Sequence, residues 1–298
     1  MAPRDRVHDR TATDTLPSDG ANESPIPHNV LHDPELRRRG IVLRMVFKPD
    51  VVFGTADLDS RNYVVKVLDL DTQELPIYER LLANLGPANH TVPSELVHSR
   101  QSFLIMPILS DIYAYMRLAH TSLRFRLLRA FYELVEGIEF LHNSHVAHMD
   151  IHSGNIMVAN PNDAAYHESL VAHRIYIIDF DTARQFALGP GHQHAITLPE
   201  TYYEPPNGLT EFDPYSWDVY CLGRTFQYFL EYGYSSRGRR PPWIARWYAN
   251  WLVGDESGCA GSSRSRPTAK TARRVLVLIQ WALPVIEVAQ KLVDLFSS

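Results

Sequence analysis

Two hydrophobic rhythms divide the chain. Between Gly40 and Leu109 the apolar residues fall in short runs, "IVLRMVF", "YVVKVLDL" and "SFLIMPIL", each bounded by turn formers, which predicts β-strands. One helical pattern, "DTQELPIYERLLANLG", lies between the last two. Asp71 or Thr72 can cap its start, Pro76 fits only its first turn, and Gly86 suits its stop. Beyond Ser110 the period lengthens. "SLRFRLLRAFYELVEGIEFLH" sets Leu123, Leu127, Leu128, Phe131, Leu134, Val135, Ile138 and Leu141 on one helical face. Two short strands, "NIMVAN" and "RIYIIDF", come next, and three helical segments run to the end. The pattern predicts an α+β protein with a small β-rich lobe (about 40–107) and a larger, mainly helical lobe (about 110–298).

Residues 1–39 mix Asp, Arg, Ser, Thr and Pro without periodicity, which predicts a disordered polar tail closed by a solvated Arg37-Arg38-Arg39 run. Residues 1–30 are polar, charged and proline-bearing, so no apolar core of a secretory signal is expected in them. Near the C-terminus "VLVLIQWALPVIEVAQKLVDLF" is apolar enough to raise the question of a membrane. Gln280, Glu287, Gln290, Lys291 and Asp294 interrupt it, and Pro284 breaks it, so two amphipathic helices are expected there and no membrane partner. A net charge of -5 gives no reason to expect nucleic acid. Cys221 and Cys259 stand far apart in no metal-binding spacing, which points to a reducing intracellular setting, cytoplasmic or nuclear.

The candidate chemistry sits in "HMDIHSGNIMV", residues 148–158, between the long helical pattern and an apolar strand. A plain polar turn would suit that position. Other residues argue for more. Lys66 lies inside the strand "YVVKVL" on the same face as Val64, where a lysine either faces solvent at an edge or meets an anion. Its partner would come from the next helix, Glu74 or the alternative Glu79. Asp179 closes the apolar run "IYIID", where a carboxylate costs energy unless it meets a cation.

In order and spacing these pieces resemble the protein kinase superfamily, and in tenor the kinase-like proteins of fungi. "HMDIHSGN" takes the place of the catalytic loop and "DFD" (179–181) that of the metal-binding triplet. The resemblance covers roughly residues 40–280 and implies a bilobal kinase-like fold. It implies Asp150 as catalytic base, accompanied by His152 and Lys66, and Asn155 and Asp179 as Mg²⁺ ligands. Lys66, paired with Glu74, would touch the phosphates of ATP. Met106 would guard the adenine pocket, with Pro107 to Leu109 as the hinge. "LPETYYEPP" (198–206) resembles the end of an activation loop. Asp218 in "SWDVYCLG" would bond the catalytic-loop backbone, and Arg266 in "RPTA" would pair with Glu200 or Glu204.

Four departures accompany the likeness. "VFGTADLDSRNYVVKV" offers only Gly54 where a glycine-rich phosphate loop is expected. Met149 stands in the place of an arginine, His152 in that of a lysine, and Asp181 in that of a glycine. A histidine and an extra acid at these positions are similar to small-molecule kinases of the aminoglycoside and choline type. The resemblance implies an ATP- and Mg²⁺-dependent kinase acting on serine or threonine of a protein substrate. A small-molecule kinase and a nucleotide-binding pseudokinase are the alternatives.

Overall fold

The computed structural model describes residues 26–55, 61–84, 86–118, 122–254 and 266–282. Helices α1 (His28–Leu31) and α2 (Pro34–Arg38) precede an antiparallel sheet of β1 (Met45–Lys48), β2 (Val52–Gly54), β3 (Tyr63–Val67), β4 (Glu95–His98) and β5 (Ser102–Pro107), in the order β1-β2-β3-β5-β4. Helix α3 (Glu74–Leu82) links β3 to β4. The second lobe is built on α4 (Ile112–Arg117), α5 (Leu123–Asn143), α7 (Pro214–Ser235) and α8 (Trp243–Val253), with α6 (Pro161–Tyr166) as a short insert; residues 269–282 are again helical. This is the two-lobed α+β architecture expected.

The boundary of the polar tail needs correcting. Residues 1–25 lie outside the described residues, but 26–39 are ordered. Asp33 caps α2, its Oδ1 accepting from the backbone N–H groups of Glu35 and Leu36, and Pro34 opens the helix. Val30 and Leu36 are buried in an apolar cluster with Phe53, Val65, Phe103 and Ile105 on the back of the sheet. Two single-turn helices with one anchor each leave no periodic trace, which is why composition misled. The arginine run is only partly solvated, since Arg39 pairs with Glu35 and with Glu95 of β4.

The strand pattern also over-reads its first run. Residues 41–44 are not strand; only Met45–Lys48 pairs with β2. Helix α3 starts later than its caps suggested, with Gln73 at its N-cap, and ends at Leu82 before Gly86; Pro76 does fall in its first turn. The predicted face of α5 is the buried one, except that Leu123 and Leu128 are only half-buried.

The two lobes are joined at β5. Strand β6 (Ser110–Asp111) pairs with β8 (Ile156–Val158), and β8 with β9 (Ile175–Ile177), so a small sheet carries the crossing chain. Helix α6 leans on this junction. It is held by a reciprocal cap between Asn160 and Asp163, and His167 just beyond it donates Nε2–H to the Asn62 carbonyl at 3.1 Å. Strand β7 (Val146–Ala147) leads into the 148–158 stretch and pairs with β10 (Arg184–Gln185), and β11 (Ile196–Thr197) pairs with β12 (Glu211–Phe212) ahead of α7. Among the described residues no helix is long and apolar enough to cross a membrane. The second half of the apolar C-terminal run, and Cys259, lie outside them.

Candidate active site

Lys66 sits on β3, the middle strand of five, so it is no edge residue. Its side chain is almost fully buried, and its ammonium donates to Glu74 Oε1 at 2.7 Å and to Asp179 Oδ1. Glu74, the first residue of α3, is therefore the partner, and Glu79 is not. Burial by itself would push the Lys66 ammonium pKa down. The Asp179 and Glu74 carboxylates outweigh it, and the net shift is upward. Glu74 is pushed up by its own burial, which Lys66 offsets only in part. The trio ties β3, α3 and the segment after β9 together.

Asp179 does not end a strand. It lies two residues beyond β9, in the left-handed backbone region at φ 63°, and its side chain is 34% exposed toward the cleft. Asp179 is thus no unpaired buried charge: Lys66 already pairs it, and exposure leaves its other oxygen accessible. Phe180 is fully buried and packs edge-on against Tyr78 of α3, with centroids 5.1 Å apart, so the triplet also anchors α3.

The 148–155 loop is held from below by Asp218 on α7. The buried carboxylate accepts the N–H of His148 (2.9 Å) and of Met149 (2.7 Å), and His142 Nε2–H at 2.9 Å. Trp217 Nε1–H donates to the Met149 carbonyl, and the Thr225 hydroxyl to that of Ile151. Met149 has a positive φ of 64°, a conformation these bonds sustain. On the other side His148 Nε2–H donates to the Ile178 carbonyl, and the Ile178 N–H donates to that of Asn155. The loop and the Asp179 segment are one hydrogen-bonded unit.

Asp150 points from this loop with about a fifth of its side chain exposed. Its Oδ2 lies 3.3 Å from His152 Nε2, and Asn155 Nδ2 donates to the Asp150 carbonyl at 3.0 Å. Oδ1 accepts the backbone N–H of Tyr202 at 2.8 Å, while the Tyr202 ring stacks on His152 with centroids 4.4 Å apart. Burial pushes the Asp150 carboxyl up, but His152 and the Tyr202 N–H more than compensate, and its pKa falls below the ordinary 3.8. Nothing in the sequence marked Tyr202 for this contact, because it depends on where the 196–203 segment folds back.

Magnesium takes oxygen ligands and commonly uses only one or two protein groups beside substrate phosphates. Asn155 and Asp179 fit that pattern. Because Nδ2 of Asn155 donates back to Asp150, its Oδ1 is turned away from the loop. Among the described residues no three His, Cys, Asp or Glu side chains are grouped to hold a metal unaided, so phosphate oxygens would have to complete the set.

At the hinge Met106 is buried in β5, facing Val64 of β3. Pro107 has no N–H, and Ile108 donates its own to the Asn62 carbonyl. Of residues 107–109, Leu109 is therefore the one whose backbone N–H could serve an adenine edge if a nucleotide binds here. Gly54 is not part of a phosphate loop. The β1–β2 turn is Pro49, Asp50 and Val51, and Gly54 ends β2, where a Cβ would lie 2.5 Å from the Phe47 ring. Arg266 also differs from expectation. It donates from Nε to the Val253 carbonyl and lies over the Phe212 and Tyr220 rings, whereas Glu200 and Glu204 are exposed and neither joins it in an ion pair among the described residues.

Residues 95–233 match the family described as protein kinase domain. The chain is also similar to human (Homo sapiens) cyclin-dependent kinase 15, at 22% identity over 182 residues, which are 57% of this chain and 39% of that relative. The chain thus spans well under half the length of the curated relative it matches.

Proposed function

Since the chain carries a protein kinase superfamily domain, we propose that it transfers the γ-phosphate of ATP, with Mg²⁺, to a serine or threonine hydroxyl of a protein. The observation that carries this reading is two bonded sets, Lys66–Glu74–Asp179 and Asp150–Asn155, joined where the Ile178 N–H donates to the Asn155 carbonyl.

Phosphoryl transfer asks a protein mainly for position and charge. Lys66, made rigid by Glu74, presents a fixed cation to the phosphates. Mg²⁺, bound through Asn155 and Asp179, would neutralise charge developing on the transferred group. Asp150 is a carboxylate at neutral pH and can accept the proton of an incoming hydroxyl once that hydroxyl takes its place on Oδ2. The Tyr202 N–H on Oδ1 fixes the rotamer, so the other oxygen faces the acceptor. His152 lies beside Oδ2 and can donate to the phosphoryl oxygens.

The test is Mg²⁺-dependent phosphotransfer from ATP to generic protein substrates, run beside aminoglycoside and choline acceptors. Phosphate on protein alone supports the reading. Transfer only to the small acceptors makes the chain a small-molecule kinase, and ATP binding without transfer makes it a pseudokinase.

A further inference from the structure

The turn between β1 and β2 is poor in the groups that normally hold phosphates. Pro49 has no N–H, and Val51 spends its own on the Lys48 carbonyl at 3.2 Å. A cradle of amides cannot form there. What the hairpin offers instead is a lysine.

Lys48 faces Val52 across β1 and β2, and Val52 faces Lys66 across β2 and β3. Directly opposed residues of an antiparallel ladder project from the same face, so both lysines belong to the cleft side of the sheet. Strict alternation from Val46, which sits over the back-face residue Phe53, would have sent Lys48 to the back. The register irregularity between Val46 and Lys48 inserts Phe47 and turns Lys48 round. The side chain confirms the direction. Its Nζ lies 3.8 Å from Asp181 Oδ2, across the cleft, with the two side chains 55% and 37% exposed. Asp181 follows Asp179 by two residues, so Lys66–Asp179 and Lys48–Asp181 are two lysine–aspartate pairs spanning the same gap.

We propose that Lys48 is a phosphate-contact residue that replaces the missing amide cradle, with Asp181 as its partner when no phosphate competes. An exposed pair at this separation holds its members weakly, so a polyphosphate can take Lys48 from Asp181 at little cost. Two of the sequence departures, the glycine-free turn and the acid at 181, then become halves of one arrangement. Lys66 works from a buried, fixed position and Lys48 from a movable one at the mouth.

The inference rests on the nucleotide reading above, and the experiment separates the two. ATP and adenosine binding are measured by calorimetry for the wild type, Lys48→Met and Lys48→Arg, with thermal melts as a check on folding. The expected result is about a tenfold loss of ATP affinity in Lys48→Met, the scale of one charge-assisted contact. Adenosine affinity stays unchanged, and Lys48→Arg retains most of the ATP affinity. ATP affinity equal to wild type in a folded Lys48→Met protein overturns the role of Lys48 and leaves the nucleotide reading standing. A wild type that binds neither ATP nor adenosine overturns the nucleotide reading, and this inference falls with it.

Discussion

The two walls of the cleft are built on different principles. The helical wall is a buried framework. Asp218 is fully buried and makes three bonds to the loop and to α5, and Trp217 and Thr225 fix the same loop from the same helix. The sheet wall is open at its rim. Phe47 is half exposed, and Lys48 reaches Asp181 through a pair that solvent can enter. Buried polar networks tolerate little change because each lost partner strands another group, whereas an exposed rim can change its residues at little cost. The residues matching the protein kinase domain family begin at Glu95, within β4, and include the whole helical side of the site.

The largest effect should come from the framework. Asp218→Ala leaves two loop N–H groups and His142 without their acceptor, and should destabilise by about 3–5 kcal/mol, the usual cost of breaking a buried charged network. Urea unfolding measures it. A loss no greater than that of a surface substitution would erase the contrast between the walls.

Next is turnover. Asp150→Asn keeps the shape of the side chain and loses the base, so phosphotransfer should fall by about 100-fold or more while ATP affinity stays within a few-fold. Normal transfer by this variant would reduce the 148–155 stretch to a structural turn.

A pair of glycines compares the walls directly. A Cβ at Gly223 would meet the Val253 backbone nitrogen at 2.8 Å and Leu252 Cβ at 2.9 Å where α7 crosses α8, so neither neighbour can yield. Gly223→Ala should cost about 1–3 kcal/mol. At Gly54 the obstacle is only the half-exposed Phe47 ring, which can swing outward, so Gly54→Ala should cost less than about 1 kcal/mol. Equal costs in thermal or urea melts would show the rim to be as rigid as the framework.

The smallest effect concerns pH. Asp150 has a folded pKa below 3.8, so its stabilising contribution is complete above 3.8 and is lost as pH falls through the lower folded value. Between about pH 5 and 8 it therefore adds no slope to stability or turnover. Comparing the pH profile of wild-type stability with that of Asp150→Asn checks this. A difference that stays constant from about pH 5 down to about pH 2 contradicts the Tyr202 and His152 contacts.

Much of this was legible in the chain because it is local. The face of α5, the strand carrying Lys66 and the loop from Asp150 to Asn155 follow from periodicity and spacing within a few residues, and the order of the motifs implied the two-lobed fold. The tertiary structure decided the rest, and each case involves distance along the chain or a change of register. Glu74 rather than Glu79 meets Lys66 because α3 begins at Glu74 and aims its first turn at the sheet. Tyr202 reaches Asp150 across 52 residues. Arg266 donates to the Val253 carbonyl and lies over the Phe212 and Tyr220 rings. The ordering of residues 26–39 depends on two apolar side chains finding the back of a sheet that lies later in the chain. Lys48 is the sharpest instance. Alternation in the sequence sends it away from the cleft, and one extra residue in a strand turns it in, because a period of two converts any single insertion into a change of face.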